Sequence, residues 1–131
     1  RSQVYKSKWF QRFARKEGIG DQDLLDAVAR AERGLVDADL GGGVLKQRIA
    51  RQGQGKSGGF RTMLFCRQGD RAVFVYGFAK NDRDNLTVDE VREFKAAAWH
   101  VLALSACQMA ELAKKGDFVE VARDEREAVS K

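Results

Sequence analysis

Between Ala50 and Arg61 the chain reads ARQGQGKSGGFR, and Gly55, Lys56 and Ser57 match the end of the phosphate-binding pattern G-x-x-x-x-G-K-[ST]. The chemistry on offer is the cradling of nucleotide phosphates by backbone N–H groups, with a lysine reaching the terminal ones. That pattern needs a glycine five residues before Gly55, where the chain bends sharply, and the position holds Ala50. It also needs a helix directly after Ser57, because unpaired N–H groups at the helix N-terminus hold the phosphate. Gly58, Gly59 and then FRTMLFC follow instead, a run that reads as a strand. The nucleotide-loop reading fails on both counts, and Gly53–Gly59 is left as a glycine-rich loop between basic strands.

A second chemistry comes from cations held on those strands. Side chains alternate along a strand, so Lys46 and Arg48 project from one side of VLKQRIAR while Leu45, Gln47 and Ile49 project from the other. If Gly69-Asp70 is a two-residue hairpin loop, Gln68 pairs with Arg71, Met63 with Tyr76, Arg61 with Phe78 and Gly59 with Lys80. Arg61, Tyr76 and Lys80 then share a face, and the loop before them carries Arg51 and Lys56 to the same end of the sheet. Crowded cations repel one another unless a polyanion is present, so such a set on ordered strands points to an anionic ligand. The competing reading pairs half of them with Asp70, Asp82, Asp84 or helix acids, where they serve solubility alone. Tyr76, Phe74 and Phe78 are core aromatics by composition, with Tyr76 retained as a candidate for substrate contact.

Other chemistries find little support. His100 is the only histidine and lies beside Trp99 in a helical stretch, so histidine-pair RNase chemistry, zinc hydrolysis and a Ser-His-Asp triad are poorly supported. Cys66 and Cys107 have neither disulfide-framework nor zinc-site spacing and read as thiols in a reducing cytoplasm. With 131 residues, 24 Lys and Arg against 19 acids and a net charge of +5, the chain suits one domain with a bias toward polyanionic partners. No apolar run approaches the roughly 20 residues that span a bilayer, and RSQVYKSKWF has no hydrophobic signal core. A cytoplasmic protein without a metal or small-molecule cofactor, and without a membrane partner, is the expectation.

The elements that must position these residues follow from periodicity and punctuation. SQVYKS reads as a first strand, KWFQRFARKEG as a helix closed by Gly18, and QDLLDAVARAERG as a second helix capped by Asp21 and ended by Gly34. The two make an N-terminal helical hairpin. LVDADLGGG reads as a loop, its glycines giving a sharp entry into three successive strands, VLKQRIAR, FRTMLFCRQ and AVFVYGFAK. Thr87 and Glu90 form a capping box that opens one long helix ending at Gly116, after which DFVEVA alternates like an edge strand. The domain is set at residues 1–122, with 123–131 a mobile tail.

This order, with GKSGGFRTMLF and VFVYGFAKND at its centre, resembles the RelE/HigB toxins of bacterial type II toxin–antitoxin systems over about residues 3 to 105. Gly58–Arg61 and Phe78–Asp82 carry most of the likeness. The resemblance implies an α+β fold: a small antiparallel sheet of three to five strands, helices on its outer side, and a basic concave face that cuts mRNA in the ribosomal A site. It implies roles for Lys46 and Arg48 on the lysine-rich strand, for Arg61 after the Gly-aromatic step, and for Lys80 at the end of the next strand. Lys56 and Arg51 have no counterpart in the family pattern, and the C-terminal tyrosine used by some members is missing. Cleavage by the ribose 2′-OH needs a base, stabilisation of a crowded phosphorane and a proton for the leaving 5′-oxygen. Lys56 or Lys46, crowded by cations, suits the base, and Arg61 the phosphorane stabiliser. With Tyr76 these make the catalytic candidates, and Arg48, Arg51, Lys80 and Arg83 the RNA-binding ones. The implied partners are mRNA, the ribosome and a cognate antitoxin of helix-turn-helix type. Two alternatives share the fold and charge: a ParE-like inhibitor of DNA gyrase, and an RNA-binding module without cleavage.

Overall fold

The computed structural model describes residues 2–51 and 55–121, with side chains from residue 58 onward in the second stretch. In chain order the elements are β1 (Gln3–Ser7), α1 (Lys8–Glu17), α2 (Asp21–Glu32), β2 (Ala38–Gly41), β3 (Val44–Arg51), β4 (Gly55–Arg67), β5 (Arg71–Ala79), α3 (Val88–Ala103), α4 (Ala106–Lys114) and β6 (Phe118–Glu120). The strands form one sheet in the order β2-β3-β4-β5-β1-β6. Neighbours are antiparallel except β1 and β5, which run parallel. The α+β class stands, with more strands than the three to five expected and a parallel pair among them. The 123–131 tail and the boundary at residue 122 lie outside the described residues.

Two apolar layers sandwich the sheet. On one face Phe10, Ala14, Leu24, Ala27 and Val28 of α1 and α2 pack on Ile49, Phe60, Leu64, Ala72 and Phe74. On the other, Phe94, Ala98, Val101 and Leu102 of α3 and Met109 of α4 pack on Val44, Phe65 and Val73. The helices are therefore not confined to one side, as the resemblance implied. The helical-hairpin reading is also corrected: α1 lies mainly over β5 and α2 over β3, each anchored to the sheet by its own apolar stripe. Ser7 caps α1 by accepting from the Phe10 N–H at 3.1 Å, and Gly18 closes it at φ 74°. At α2 the cap is Gly20, whose N–H donates to Asp23 Oδ2 at 3.0 Å. Asp21, expected as the cap, is the first helical residue and accepts from Lys6 Nζ at 2.9 Å.

Three further corrections have local causes. Ala38–Gly41, read as loop, is a strand because β3 supplies its ladder partners, Ala38 with Lys46 and Asp39 with Leu45. The long C-terminal helix breaks at Leu104, whose ψ of 140° is extended, because Ser105 and Gln108 form a second capping box that starts α4. Buried Arg71 fixes the break, its Nη1 donating to Val101 O at 2.9 Å and Leu104 O at 2.8 Å. The β4–β5 connection has three residues, so Arg67 rather than Gln68 faces Arg71. A bulge then shifts the register between Leu64↔Phe74 and Met63↔Tyr76, which restores the expected pairing.

Candidate functional site

The register across β3, β4 and β5 sets two parallel rows of side chains on one face. One row is Lys46, Met63 and Tyr76; the next is Arg48, Arg61 and Phe78. Strands stand about 4.8 Å apart, so Lys46 and Tyr76 flank the central strand with Cα atoms about 10 Å apart. Met63 and Phe78 are buried and form the floor, while Lys46, Arg48, Arg61 and Tyr76 are half-buried around them. Lys80 continues the alternation past the end of β5, exposed, with its N–H on Gly59 O at 3.3 Å. α3 covers the other end of this face through Phe94 and Ala98, so the cations occupy the half of the sheet that the helix leaves clear.

Directly opposed like charges on neighbouring strands destabilise a sheet, and Arg48 faces Arg61. The structure answers with Asp37, just before β2, whose Oδ2 lies 3.5 Å from Arg61 Nε. Arg61 is 14% exposed and Asp37 28%, so the pair is sheltered but open on one side to solvent.

The loop after β5 ties the rows together. Arg83 donates through Nη1 and Nη2 to both carboxylate oxygens of Glu90, and through Nη1 to Tyr76 Oη at 3.2 Å. Its guanidinium stands 5.4 Å from the Phe78 ring centroid, and its Nε donates to Asn85 O at 3.1 Å. Asn85 Oδ1 in turn takes a long contact from Lys46 Nζ at 3.5 Å. The hydrogen bonds from Arg83 hold the Glu90 carboxyl down at about 2, and Glu90 raises Arg83 further above its already high range. Glu90 also closes the capping box of α3, accepting from the Thr87 N–H at 2.8 Å.

The residues expected at the site therefore divide. Lys46, Arg48, Arg61 and Tyr76 share one face, and Arg83 reaches it from the loop after β5 through Tyr76, Phe78 and Asn85. Arg51 sits at the same end of the sheet but on the opposite face, 5.6 Å over the Phe60 ring. The backbone of Lys56 belongs to β4, which starts at Gly55, so the expected Gly53–Gly59 loop is strand from Gly55 on; the Lys56 side chain and Gly53 lie outside the described residues. Gly59 has a packing reason: a Cβ there would stand 2.6 Å from Ile49 O, at the irregular crossing of β3 and β4. Asp37, Asn85 and Glu90 were missed as site residues. Glu90 had a visible signal, its place three after Thr87, but that signal spoke only of capping.

Among the described residues no helix is long and apolar enough to cross a membrane. A search of curated proteins finds no match to this chain. A scan of protein families matches residues 2–121 to the RelE toxin of the RelE/RelB toxin–antitoxin system, a span that takes in both helical layers and every strand of the sheet. Through that match the chain belongs to the RelE toxin family and is a toxin of a toxin–antitoxin system.

Proposed function

We propose that this toxin is a ribosome-dependent endoribonuclease that cuts mRNA without a metal and so arrests translation. The observation that carries the reading is the pair of rows on one face: a lysine and a tyrosine flank β4, and two opposed arginines stand beside them. In-line attack by a ribose 2′-OH puts the entering and leaving oxygens on opposite sides of phosphorus, so base and acid should approach from opposite flanks. Lys46 and Tyr76 do so across Met63. Arg61 offers a planar fork to two phosphoryl oxygens and keeps its charge throughout, which suits a phosphorane. Its pair with Asp37 holds the guanidinium in place until RNA phosphate competes for it. Arg48 and Lys80 position neighbouring phosphates, and Lys56 remains a second candidate for the base. An anionic antitoxin, of helix-turn-helix type by resemblance, would be drawn to the same face.

Purified protein on translating ribosomes, with the 3′ ends of mRNA mapped, tests the reading. Ends within the A-site codon are expected. Arg61→Ala should slow cutting by roughly 100- to 1000-fold, about 3 to 4 kcal/mol, as for loss of one donor to a transition-state oxyanion. Arg61→Lys should recover little. Intact mRNA together with gyrase-dependent DNA breaks would identify a ParE-like inhibitor instead, and a folded Arg61→Ala that cuts at the wild-type rate would remove Arg61 from the mechanism.

A further inference from the structure

We propose that the Arg83–Glu90 pair is a positioning device for Tyr76, which makes the Tyr76 phenol the proton donor to the departing 5′-oxygen; this rests on the ribonuclease reading above. A phenol has one proton and accepts at its oxygen. Tyr76 Oη accepts an N–H from Arg83 Nη1 at 3.2 Å, so that sector of its oxygen is filled by a donor and its own proton must point elsewhere. The ring is fixed on three sides, by Trp9 with centroids 4.8 Å apart, by Phe94 at 5.7 Å and by Phe78 at 6.1 Å. The hydroxyl is thus the end of a side chain with little freedom to turn.

Arg83 is equally constrained. Glu90 takes its fork, Asn85 O takes its Nε, and the Phe78 ring lies against its face. A guanidinium so committed is poorly placed to bind an RNA phosphate, the role expected for it from charge alone, but well placed to orient a neighbour. It also sits where a phenolate would form, so the charge left after proton donation meets a cation at hydrogen-bond distance.

The 2′-oxygen bonds to phosphorus while its proton passes to a lysine amine. The P–O5′ bond breaks with its electron pair going to O5′, and the Tyr76 proton passes to O5′. The products are a 2′,3′-cyclic phosphate and a free 5′-hydroxyl, and the phenolate regains its proton from solvent.

The experiment compares two mRNAs on ribosomes under single-turnover conditions: the ordinary one and one with sulfur in place of the bridging 5′-oxygen at the scissile position. A thiolate leaves without a proton, so loss of a donor is felt on the oxygen substrate alone. Tyr76→Phe, which keeps the ring contacts, should slow the oxygen substrate by about 100-fold or more and the sulfur substrate by less than about threefold. Arg83→Lys, which keeps a charge but cannot hold Glu90 and Tyr76 together, should show the same selectivity with a loss of roughly 10- to 100-fold. Equal losses on both substrates, or a Tyr76→Phe protein as fast as wild type, overturn the inference and leave the ribonuclease reading standing. A wild-type protein that cuts neither substrate overturns both.

Discussion

On the proposed ribonuclease reading, Arg61 is a residue held in place by a group, Asp37, that yields when RNA binds. A half-buried guanidinium opposite a second arginine would be pushed toward solvent, and Asp37 keeps it down on the sheet. A partly exposed ion pair is worth at most about 1 kcal/mol, far less than several phosphate contacts can offer, so RNA can displace Asp37 readily. Asp37→Asn should therefore change stability by less than about 1 kcal/mol in a urea titration. The same variant should bind a non-cleavable 2′-O-methyl RNA a few-fold more tightly, because one anion has left the face. Unchanged affinity would show that the RNA does not come near Arg61. The sequence made the cations legible because strand alternation depends only on counting by twos. It could not reveal Asp37, which lies 24 positions from Arg61 in the chain and reaches it only through the unforeseen strand β2.

The punctuation of α1 and of the start of α3 was readable, whereas the Ser105–Gln108 capping box that starts α4 was passed over inside an apolar run, and β2, stabilised by a neighbour, carried no signal of its own. Gly18, Thr87 and Glu90 mark helix ends by local hydrogen bonding, and the helices begin or stop there. β2 has little strand propensity and depends on β3, while the hairpin register came out right near the site only because the longer turn and the bulge cancel. Gly77 illustrates such a neighbour effect: a Cβ there would stand 2.7 Å from the Phe13 ring, so the glycine is what lets α1 settle on β5. Gly77→Ala should cost about 1 to 3 kcal/mol in urea unfolding, and in combination with Phe13→Ala the losses should sum to less than the two singles. Additive losses would mean that the clash relaxes elsewhere. At the start of α3 the expectation concerns pH. Glu90 is lowered from the ordinary 4.5 to about 2, first by the hydrogen bonds from Arg83. A depressed carboxyl contributes stability that is complete above its unfolded value and is lost as pH falls toward its folded one. The Tm advantage of wild type over Glu90→Gln, which retains the capping geometry, should be full at pH 6 and shrink between about 4.5 and 2. An advantage unchanged across that range would show that Arg83 does not stabilise the ionised carboxylate.

For the molecule as a whole, two differently covered faces turn a modest charge excess into a directional one. The net charge is only +5, and α1 and α2 close one face of the sheet with an apolar layer. α3 and α4 close half of the other, leaving Lys46, Arg48, Arg61 and Lys80 around the remaining half. Cations so grouped release counterions when a nucleic acid binds, which gives a linear fall of log K with log salt whose slope counts phosphate contacts. For a single strand each contact contributes a slope of about 0.7. Binding of a non-cleavable single-stranded RNA should thus weaken steeply with salt, and Lys80→Ala and Arg48→Ala should each flatten the slope by about 0.7. Lys114→Ala serves as the control: it removes the same charge from an exposed position at the end of α4, the helix beside β6 at the far edge of the sheet. If binding reflected net charge alone, all three variants would lose the same increment. A selective change at Lys80 and Arg48, with Lys114→Ala keeping the wild-type slope, is expected from the way the helices partition the sheet. Equal flattening in all three would mean that the face has no special part in holding RNA.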